Sequence, residues 1–300
     1  MFQNTVRIFP MKITSYTVKA PAKINVRLKV TGRRPDGYHE LVSIMVPVEI
    51  FDTIDLNLSS DRQIRIGCRG REIPEDETNL AYRAARDFMS YAGIKDGVSV
   101  VLSKNIPVAA GLGGGSSDGA AVLLALNHMY SNPISDPELH KLALKLGADV
   151  PFFLMGGPCL ATGIGEILEP IPDWPEAWYV IVTPQIQVST AWVYRNLKLQ
   201  LTTGEYDYIV KTLKNDTFTI SRVIENDLET VTTASFPIIN TLKKLLVDAG
   251  AEGAIMSGSG PSVFGVFASQ EKAESAKTFL VSHNPGDIFV ARGHGGKEHY

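Results

Sequence analysis

Apolar and polar residues alternate over much of the first hundred residues, and a period of two is typical of half-buried strands. A helical spacing replaces this period over 78–91, where Leu80, Ala84 and Phe88 share one face. Gly93 is expected to end that helix. The pattern therefore predicts that the first part of the chain is rich in strands. The predicted strands cover 13–19, 24–30, 41–50, 53–58, 63–66 and 98–103.

Helices and strands alternate in the rest of the chain. The continuous apolar run over 120–126 predicts a buried helix that begins near Ser116. A turn-rich segment over 171–175 marks a predicted boundary between two α+β domains, 12–170 and 171–300. The other predicted helices cover 137–146, 190–197, 206–212, 237–249 and 270–281, and the other predicted strands cover 178–182, 253–256, 262–267 and 288–291.

The composition agrees with an enzyme that has a large core. The chain has 300 residues, of which 44% are hydrophobic and 20% are charged. Its net charge of −3 is spread over both signs, so a nucleic-acid partner is not expected. Its apolar runs are much shorter than the ~20 residues that a membrane helix needs, so a membrane partner is not expected either.

The cysteines and the start of the chain bear on location. Cys68 and Cys159 are far apart and form no C-x-x-C pair, which predicts reduced thiols in a cytoplasmic protein and no zinc site. Residues 1–10 contain neither the apolar core nor the cleavage site of a signal peptide, and Met11 is an alternative start to Met1.

The strongest chemical signal precedes the apolar run. Between residues 111 and 117, four glycines and two serines lead into the predicted helix. Glycines let backbone N–H groups approach an anion, and a helix N-terminus adds free N–H groups and the positive end of its dipole. A flexible linker is disfavoured because an apolar helix follows at once. The predicted phosphate contacts are Pro107, Val108, Ala109, Ala110, Gly111, Leu112, Gly113, Gly114, Gly115, Ser116 and Ser117.

Two common phosphate loops do not fit this segment, and one hydrolase motif does. No Lys follows the glycines as a Walker A loop requires, and Ser116 stands where the third glycine of G-x-G-x-x-G would fall. The G-x-S-x-G pattern of serine hydrolases matches 115–119, although 111–115 is unlike the strand that must lead into it. A serine hydrolase stays as the alternative, with Ser117 as nucleophile, Asp149, and His283 or His294.

Three segments resemble the ordered motifs of the galactokinase, homoserine kinase, mevalonate kinase and phosphomevalonate kinase (GHMP) superfamily. They are A-P-A-K-I-N at 20–25, the glycine segment, and G-A-I-M-S-G-S-G-P at 253–261. Within the superfamily, G-R-R-P-D-G-Y-H-E-L at 32–41 and L-G-A-D-V-P-F-F at 146–153 resemble members that phosphorylate a cytidine diphosphate alcohol. The similarity covers most of the chain.

The resemblance implies a fold and a reaction. The fold is α+β, the two-domain GHMP kinase fold with a ribosomal protein S5 domain 2-like N-terminal domain, a ferredoxin-like C-terminal domain, and the active site in the cleft between them. The reaction is transfer of the ATP γ-phosphoryl group to the 2-hydroxyl of a cytidine-diphosphate-linked methylerythritol in the non-mevalonate isoprenoid pathway. ATP is the co-substrate and is expected as its Mg²⁺ complex.

Two residues are predicted to carry the chemistry. Phosphoryl transfer needs positioned charge and a carboxylate near the attacking hydroxyl. Asp149 is the predicted base or hydroxyl-orienting carboxylate, and Lys23 is its predicted charge partner. From the residues alone, Asp149 could instead cap a turn and Lys23 could be a solvated strand lysine. A nucleotide-binding regulator without catalysis would keep the glycine segment but would not need Asp149.

The remaining site residues are implied by the resemblance. His39 is expected to read the edge of the cytosine and Tyr38 and Tyr194 to stack on the ring. Asp118 adds negative charge near the phosphates, so it is expected to favour Mg²⁺ and not to hold the phosphates themselves. Ser117 is the only predicted protein contact of Mg²⁺. The resemblance also places Lys104 and Asn79 on the ATP side and Asn25 and Thr190 on oxygens of the substrate.

Overall fold

The computed structural model describes residues 12–198, 204–215 and 217–293. The strands of its first sheet are β1 (Ser15–Arg33), β2 (His39–Ser59), β3 (Ile64–Gly70), β4 (Gly97–Lys104), β5 (Cys159–Thr162), β6 (Ile167–Pro170) and β8 (Glu225–Asn226). These seven strands lie in the order β3-β4-β2-β1-β8, with β5 paired to β2 and β6 paired to β5.

A long antiparallel hairpin of β1 and β2 is the centre of this sheet. Each of its strands was expected as two shorter strands. Register shifts between Pro21 and Ala22 and between Asn25 and Arg27 bend β1 without ending it. Val18 lies in one hydrophobic cluster while Ile24 lies in another, so the hairpin is covered on more than one side. This double cover explains why the alternation of polar residues is interrupted in its middle.

Four helices cover one face of the first sheet. Asn79 caps the first of them, and Gly93 ends it in the left-handed conformation with φ of 67°, as expected. The helix after the glycine segment begins at Gly114, two residues before the expected Ser116, because Gly113 takes the N-cap position. The helices are α1 (Leu80–Ala92), α2 (Gly114–Met129), α3 (Asp136–Leu146) and α4 (Val150–Met155).

The strands of the second sheet are β7 (Trp178–Thr183), β9 (Gly253–Met256), β10 (Val263–Phe267) and β11 (Asp287–Arg292). These four strands are antiparallel and lie in the order β11-β7-β10-β9. The helices of this part are α5 (Thr190–Asn196), α6 (Glu205–Leu213), α7 (Glu229–Ser235), α8 (Ile238–Asp248) and α9 (Gln270–Val281), with a 3₁₀ turn at Ile220–Arg222. Two of these helices, α8 and α9, pack against the second sheet.

The two sheets share a hydrophobic core. Ile24 and Val46 of the first sheet lie in the same cluster as Tyr179 and Phe264 of the second. The chain also returns to the first sheet after residue 170, since β8 pairs in parallel with β1. The expected α+β fold is confirmed, whereas the boundary at residue 170 stays a prediction. Among the described residues, none of the helices is both long and apolar enough to cross a membrane.

Candidate active site

A cavity of about 1270 Å³ opens where the three predicted motifs meet. Lys23 of the first motif, Gly113 of the glycine segment and Ser259 of the third motif all line it. The backbone joins the first two directly, because the Lys23 N–H donates to the Leu112 carbonyl at 2.9 Å. Segments that are distant in the sequence are therefore the walls of one site.

The glycine segment is held in place by the third motif. Gly111 has φ of +77°, and a Cβ at this position would lie 2.2 Å from the Ser257 carbonyl oxygen. Gly113 has φ of +71°, and a Cβ there would lie 2.9 Å from Phe153 Cζ. The Ser257 hydroxyl donates to the Gly111 carbonyl at 2.9 Å. Both glycines are required by conformation and by close packing.

Most of the predicted phosphate contacts line the cavity, but two do not. Leu112 is 1% exposed and packs in the hydrophobic core, so it offers only backbone atoms. Ser117 is fully buried in the first turn of α2, outside the cavity lining, because the helix begins earlier than expected. The predicted contact of Ser117 with Mg²⁺ is therefore not supported. The predicted residues that line the cavity are Asn79, Lys104, Pro107, Val108, Ala109, Ala110, Gly111, Gly113, Gly114, Gly115 and Ser116.

The two predicted catalytic residues lie together in the cavity. The Lys23 ammonium is 3.6 Å from the Asp149 carboxylate, and it also donates to the side-chain oxygen of Asn25. The Lys23 side chain is 6% exposed and that of Asp149 is 42% exposed. A buried ammonium thus faces a carboxylate that a substrate can reach.

Asp149 stands at the N-cap of α4, but its side chain does not cap that helix. Its carboxylate makes no capping hydrogen bond and faces Lys23 instead. Pro151 follows within the first turn, where its missing N–H leaves no unsatisfied donor. The backbone of Asp149 is therefore fixed while its carboxylate is left for the cavity, which disfavours a purely capping role.

Two polar side chains that line the cavity are held by serines. The Asn25 amide donates to Ser43 Oγ at 2.9 Å, and this bond fixes which way the Asn25 oxygen points. Thr190, at the start of α5, shares a 2.7 Å hydrogen bond with Ser259. Asn25 and Thr190 both line the cavity, as the resemblance implied.

An aromatic group forms another part of the cavity wall. The rings of His39 and Tyr194 are stacked with centroids 5.1 Å apart, and Tyr38 beside them is 59% exposed. Burial, with a smaller contribution from the Arg33 charge, lowers the pKa of His39 below its usual 6.5. Burial and the nearby Asp149 charge raise the pKa of Tyr194. His39 is therefore a neutral imidazole at pH 7, with one donor and one acceptor nitrogen.

A buried charge cluster lies beneath the glycine segment. Lys104 donates to the carboxylates of Asp52 and Asp118, and all three side chains are almost fully buried. Burial opposes the charge of Lys104, but the two carboxylates outweigh it and raise the pKa of the ammonium. Burial also raises the pKa of Asp118, to about 7. The Lys104 charge lowers this pKa, whereas the Asp52 charge raises it further.

The sequence did not single out Asp52, Ser43, Ser257 or Ser259. A signal for Asp52 existed, since it is an acidic residue within an otherwise β-forming stretch. Ser257 and Ser259 lie inside the third motif, whose individual residues had no assigned roles. Their positions became clear only from the packing of the glycine segment against that motif.

The serine-hydrolase alternative is not favoured by the geometry. Ser117 Oγ is buried and has no hydrogen-bond partner among the described residues. The His283 ring lies near the end of α9 and contacts Ser282 Oγ and the Phe279 carbonyl. His294 lies outside the described residues. The expected strand does not run into the motif either, because β4 ends at Lys104 and a loop follows.

Comparisons with known protein families agree with the three-motif site. Residues 79–157 match the family described as GHMP kinases N terminal domain, and residues 209–286 match GHMP kinases C terminal. A solved homoserine kinase from Cytophaga hutchinsonii is 25% identical and has a TM-score of 0.77, covering 96% of this chain and 98% of that chain.

Three proteins with a single described activity are more similar. The 4-diphosphocytidyl-2-C-methyl-D-erythritol kinase of Geobacter metallireducens is 48% identical over 278 residues, which cover 92% of this chain and 97% of that protein. The enzyme of that name from Syntrophotalea carbinolica is 46% identical, over 90% of this chain and 96% of that protein. A crystal structure of 4-(cytidine 5'-diphospho)-2C-methyl-D-erythritol kinase is 35% identical with a TM-score of 0.79, covering 94% of this chain and 100% of that chain. The chain belongs to the GHMP kinases and, among them, to the 4-diphosphocytidyl-2-C-methyl-D-erythritol kinase family.

Proposed function

We propose that this protein transfers the γ-phosphoryl group of ATP to the 2-hydroxyl of 4-diphosphocytidyl-2-C-methyl-D-erythritol, a step of the non-mevalonate isoprenoid pathway. The observation that carries this proposal is the pairing of Lys23 with Asp149 in the cavity that the glycine segment also lines. The described activity of relatives that are 46–48% identical over about nine-tenths of the chain supports the same substrate.

The glycine segment is the proposed ATP end of the cavity. The N-terminus of α2 opens at Gly114 and presents free backbone N–H groups and the positive end of the helix dipole. Asn79 and Lys104 line the same part of the cavity. Because phosphates carry their charge on several oxygens, converging N–H groups can hold them without a lysine in the loop itself.

The aromatic group is the proposed alcohol end. Tyr38, His39 and Tyr194 offer faces on which a cytosine ring can stack, and the neutral His39 ring offers a donor and an acceptor to its edge. Asn25 and Thr190, each held by a serine, are the proposed partners of the substrate's hydroxyl and phosphate oxygens.

Asp149 and Lys23 are the proposed catalytic residues. The hydroxyl oxygen forms a bond to the γ-phosphorus while the bond from that phosphorus to the β,γ-bridging oxygen breaks, and ADP leaves. The proton of the hydroxyl passes to the Asp149 carboxylate. The Lys23 ammonium lies 3.6 Å from that carboxylate and offsets negative charge on the phosphoryl group as it moves.

Magnesium is proposed to arrive with ATP as part of the substrate complex. Magnesium usually keeps several waters and binds phosphate oxygens through few protein carboxylates. Among the described residues, no group of three or more His, Cys, Asp or Glu side chains is placed to hold a metal ion. The buried Ser117 hydroxyl does not fit as a ligand, so no step is assigned to a metal held by the protein.

Two further predictions remain part of this proposal. A cytoplasmic location is supported by the two free thiols, Cys68 and Cys159. A division into domains at residue 170 is supported by the separate second sheet, although β8 returns to the first.

A coupled assay of ADP release tests the proposed function. The purified chain is incubated with ATP, Mg²⁺ and one alcohol at a time: the cytidine diphosphate alcohol, its uridine counterpart, free methylerythritol 4-phosphate, homoserine and mevalonate. We expect rapid ADP release with the cytidine compound alone. Release that is equally fast with another alcohol would replace the proposed substrate, and ATP binding without release in every reaction would favour the non-catalytic regulator.

A further inference from the structure

The Asp52 carboxylate makes three hydrogen bonds although the side chain is fully buried. One of its oxygens accepts hydrogen bonds from the backbone N–H groups of Asn105 at 2.6 Å and Ile106 at 2.9 Å. The other oxygen accepts a hydrogen bond from the Lys104 ammonium. Asp52 therefore holds the side chain of Lys104, the last residue of β4, and the backbone of the two residues that follow it toward the glycine segment.

The same ammonium reaches the far end of the glycine segment. Lys104 Nζ donates to Asp118 at 2.6 Å in the beginning of α2. A Cβ placed on Gly114, the first residue of that helix, would lie 3.4 Å from Lys104 Nζ. Asp52, Lys104 and Asp118 thus connect β2 to both ends of the loop that presents its N–H groups to the cavity.

Asp52 has no part in lining the cavity, whereas Lys104 does. Any effect of Asp52 on a bound nucleotide must therefore pass through the backbone of the loop or through the charge cluster, in which Lys104 and its second partner Asp118 both line the cavity. Two buried carboxylates around one ammonium also restrict the position of that ammonium more tightly than a single partner would.

Resting on the proposed kinase function, we propose that Asp52 is a positioning residue for phosphoryl transfer. It fixes the start of the glycine segment through two N–H groups and holds the Lys104 ammonium beneath the nucleotide phosphates. A purely structural role would lower the stability of the fold and leave the kinetic constants of the folded enzyme unchanged.

The two functions of Asp52 can be separated by substitution. Asp52→Asn keeps an oxygen for the two backbone N–H groups but removes the charge that holds Lys104. Asp52→Ala removes both. Since small displacements of reacting groups can lower rates by up to about 100-fold, we expect Asp52→Asn to lower kcat/KM for ATP about 10-fold and Asp52→Ala to lower it further. The KM for the alcohol should stay within about two-fold of wild type because the alcohol end is untouched.

A double-mutant cycle with Lys104→Met tests the route of the effect. If Asp52 acts through the ammonium, Asp52→Asn adds nothing once Lys104 is Met, and the double variant matches Lys104→Met within about two-fold. Losses that multiply, or an Asp52→Asn enzyme as active as wild type, would overturn the proposal. If Asp52→Asn alone does not fold, the double variant is still compared with Lys104→Met, because the double variant leaves one buried carboxylate, Asp118, without its ammonium, whereas Lys104→Met leaves two.

Glu205→Gln is the matched control. Glu205 is also a buried carboxylate, and it pairs with Arg27 at 2.5 Å, outside the cavity. The Glu205→Gln variant should have a lower melting temperature than wild type and an unchanged kcat/KM for either substrate. Wild-type protein that releases no ADP would contradict the proposed function, whereas an active wild type with an unaffected Asp52→Asn variant would contradict only the positioning role.

Discussion

The Lys23 ammonium and the Asp149 carboxylate lie 3.6 Å apart, yet the two side chains differ sharply in exposure, 6% against 42%. The Lys23 side chain is fixed by its hydrogen bond to the Asn25 side-chain oxygen and by the packing of its methylene groups against Gly113. Asp149 is free on its cavity side. The pair is therefore arranged to hold a third group between an ammonium and a carboxylate, and the proposed occupant is the acceptor hydroxyl.

Replacing Asp149 by Asn should remove the proton acceptor and keep the shape. We expect turnover to fall at least ~100-fold, the size typical of a positioned acid or base. The melting temperature should hardly change, because the carboxylate is 42% exposed and makes no capping bond. Steady-state ADP release measures the turnover, and thermal unfolding measures the melting temperature. A variant that turns over within a few-fold of wild type would remove Asp149 from its role.

Replacing Lys23 by Met should keep the buried stem and remove the charge. The Asp149 carboxylate then loses its ammonium partner, and the moving phosphoryl group loses a stabilising charge, so we expect kcat to fall about 100-fold or more. Lys23→Arg should restore little of it, since the stem is confined beside Gly113 and Phe153. Rapid-quench single-turnover measurements separate this loss from nucleotide binding. Normal single-turnover rates in Lys23→Met would contradict the assignment.

The sequence predicted elements best where local signals were complete. Helix α1 ends at Gly93, as that residue type predicted, and begins at Leu80, two residues after the predicted start, because Asn79 takes the N-cap position. Helix α4 was missed because six residues are too few to show a helical period. The two-residue strand β8 exists only through its pairing with β1, so no local pattern could reveal it.

The site was only partly visible from the sequence. Lys23 and Asp149 were identified through motifs, since nothing in their spacing shows that they meet. Asp52 fell in the gap between two predicted strands, where an acidic residue indicates a turn. In the structure β2 continues through it, because Lys104 and two backbone N–H groups satisfy the carboxylate. Such a partnership between distant strands has no signature along the chain.

A methyl group on Gly111 should disrupt the nucleotide site. The left-handed φ of +77° strains any residue with a Cβ, and that Cβ would overlap the Ser257 carbonyl. We expect Gly111→Ala to weaken ATP binding at least ~10-fold, since backbone strain of this kind is about 1–3 kcal/mol before the overlap is added. Gly157→Ala is the control, because nothing lies within 4 Å of its Cβ position. Equal ATP affinities in the two variants, measured by calorimetric titration, would contradict the close packing.

The state of His39 should set how binding of the cytidine alcohol depends on pH. Burial, with help from the Arg33 charge, lowers the pKa of His39 in the folded protein below the 6.5 of an unfolded chain. The unfolded chain therefore binds more protons, so stability is retained above pH 6.5 and decreases as the pH falls from 6.5 through the folded pKa. Over the same range the ring gains a proton and loses its acceptor nitrogen, so kcat/KM for the alcohol should decrease.

The His39→Gln variant tests this expectation, because glutamine does not titrate and the variant should lack both decreases. Melting curves and alcohol kinetics are recorded from pH 5 to pH 8. If the variant shows the same acidic decreases as wild type, another group is responsible and the neutral His39 ring has no part in reading the base.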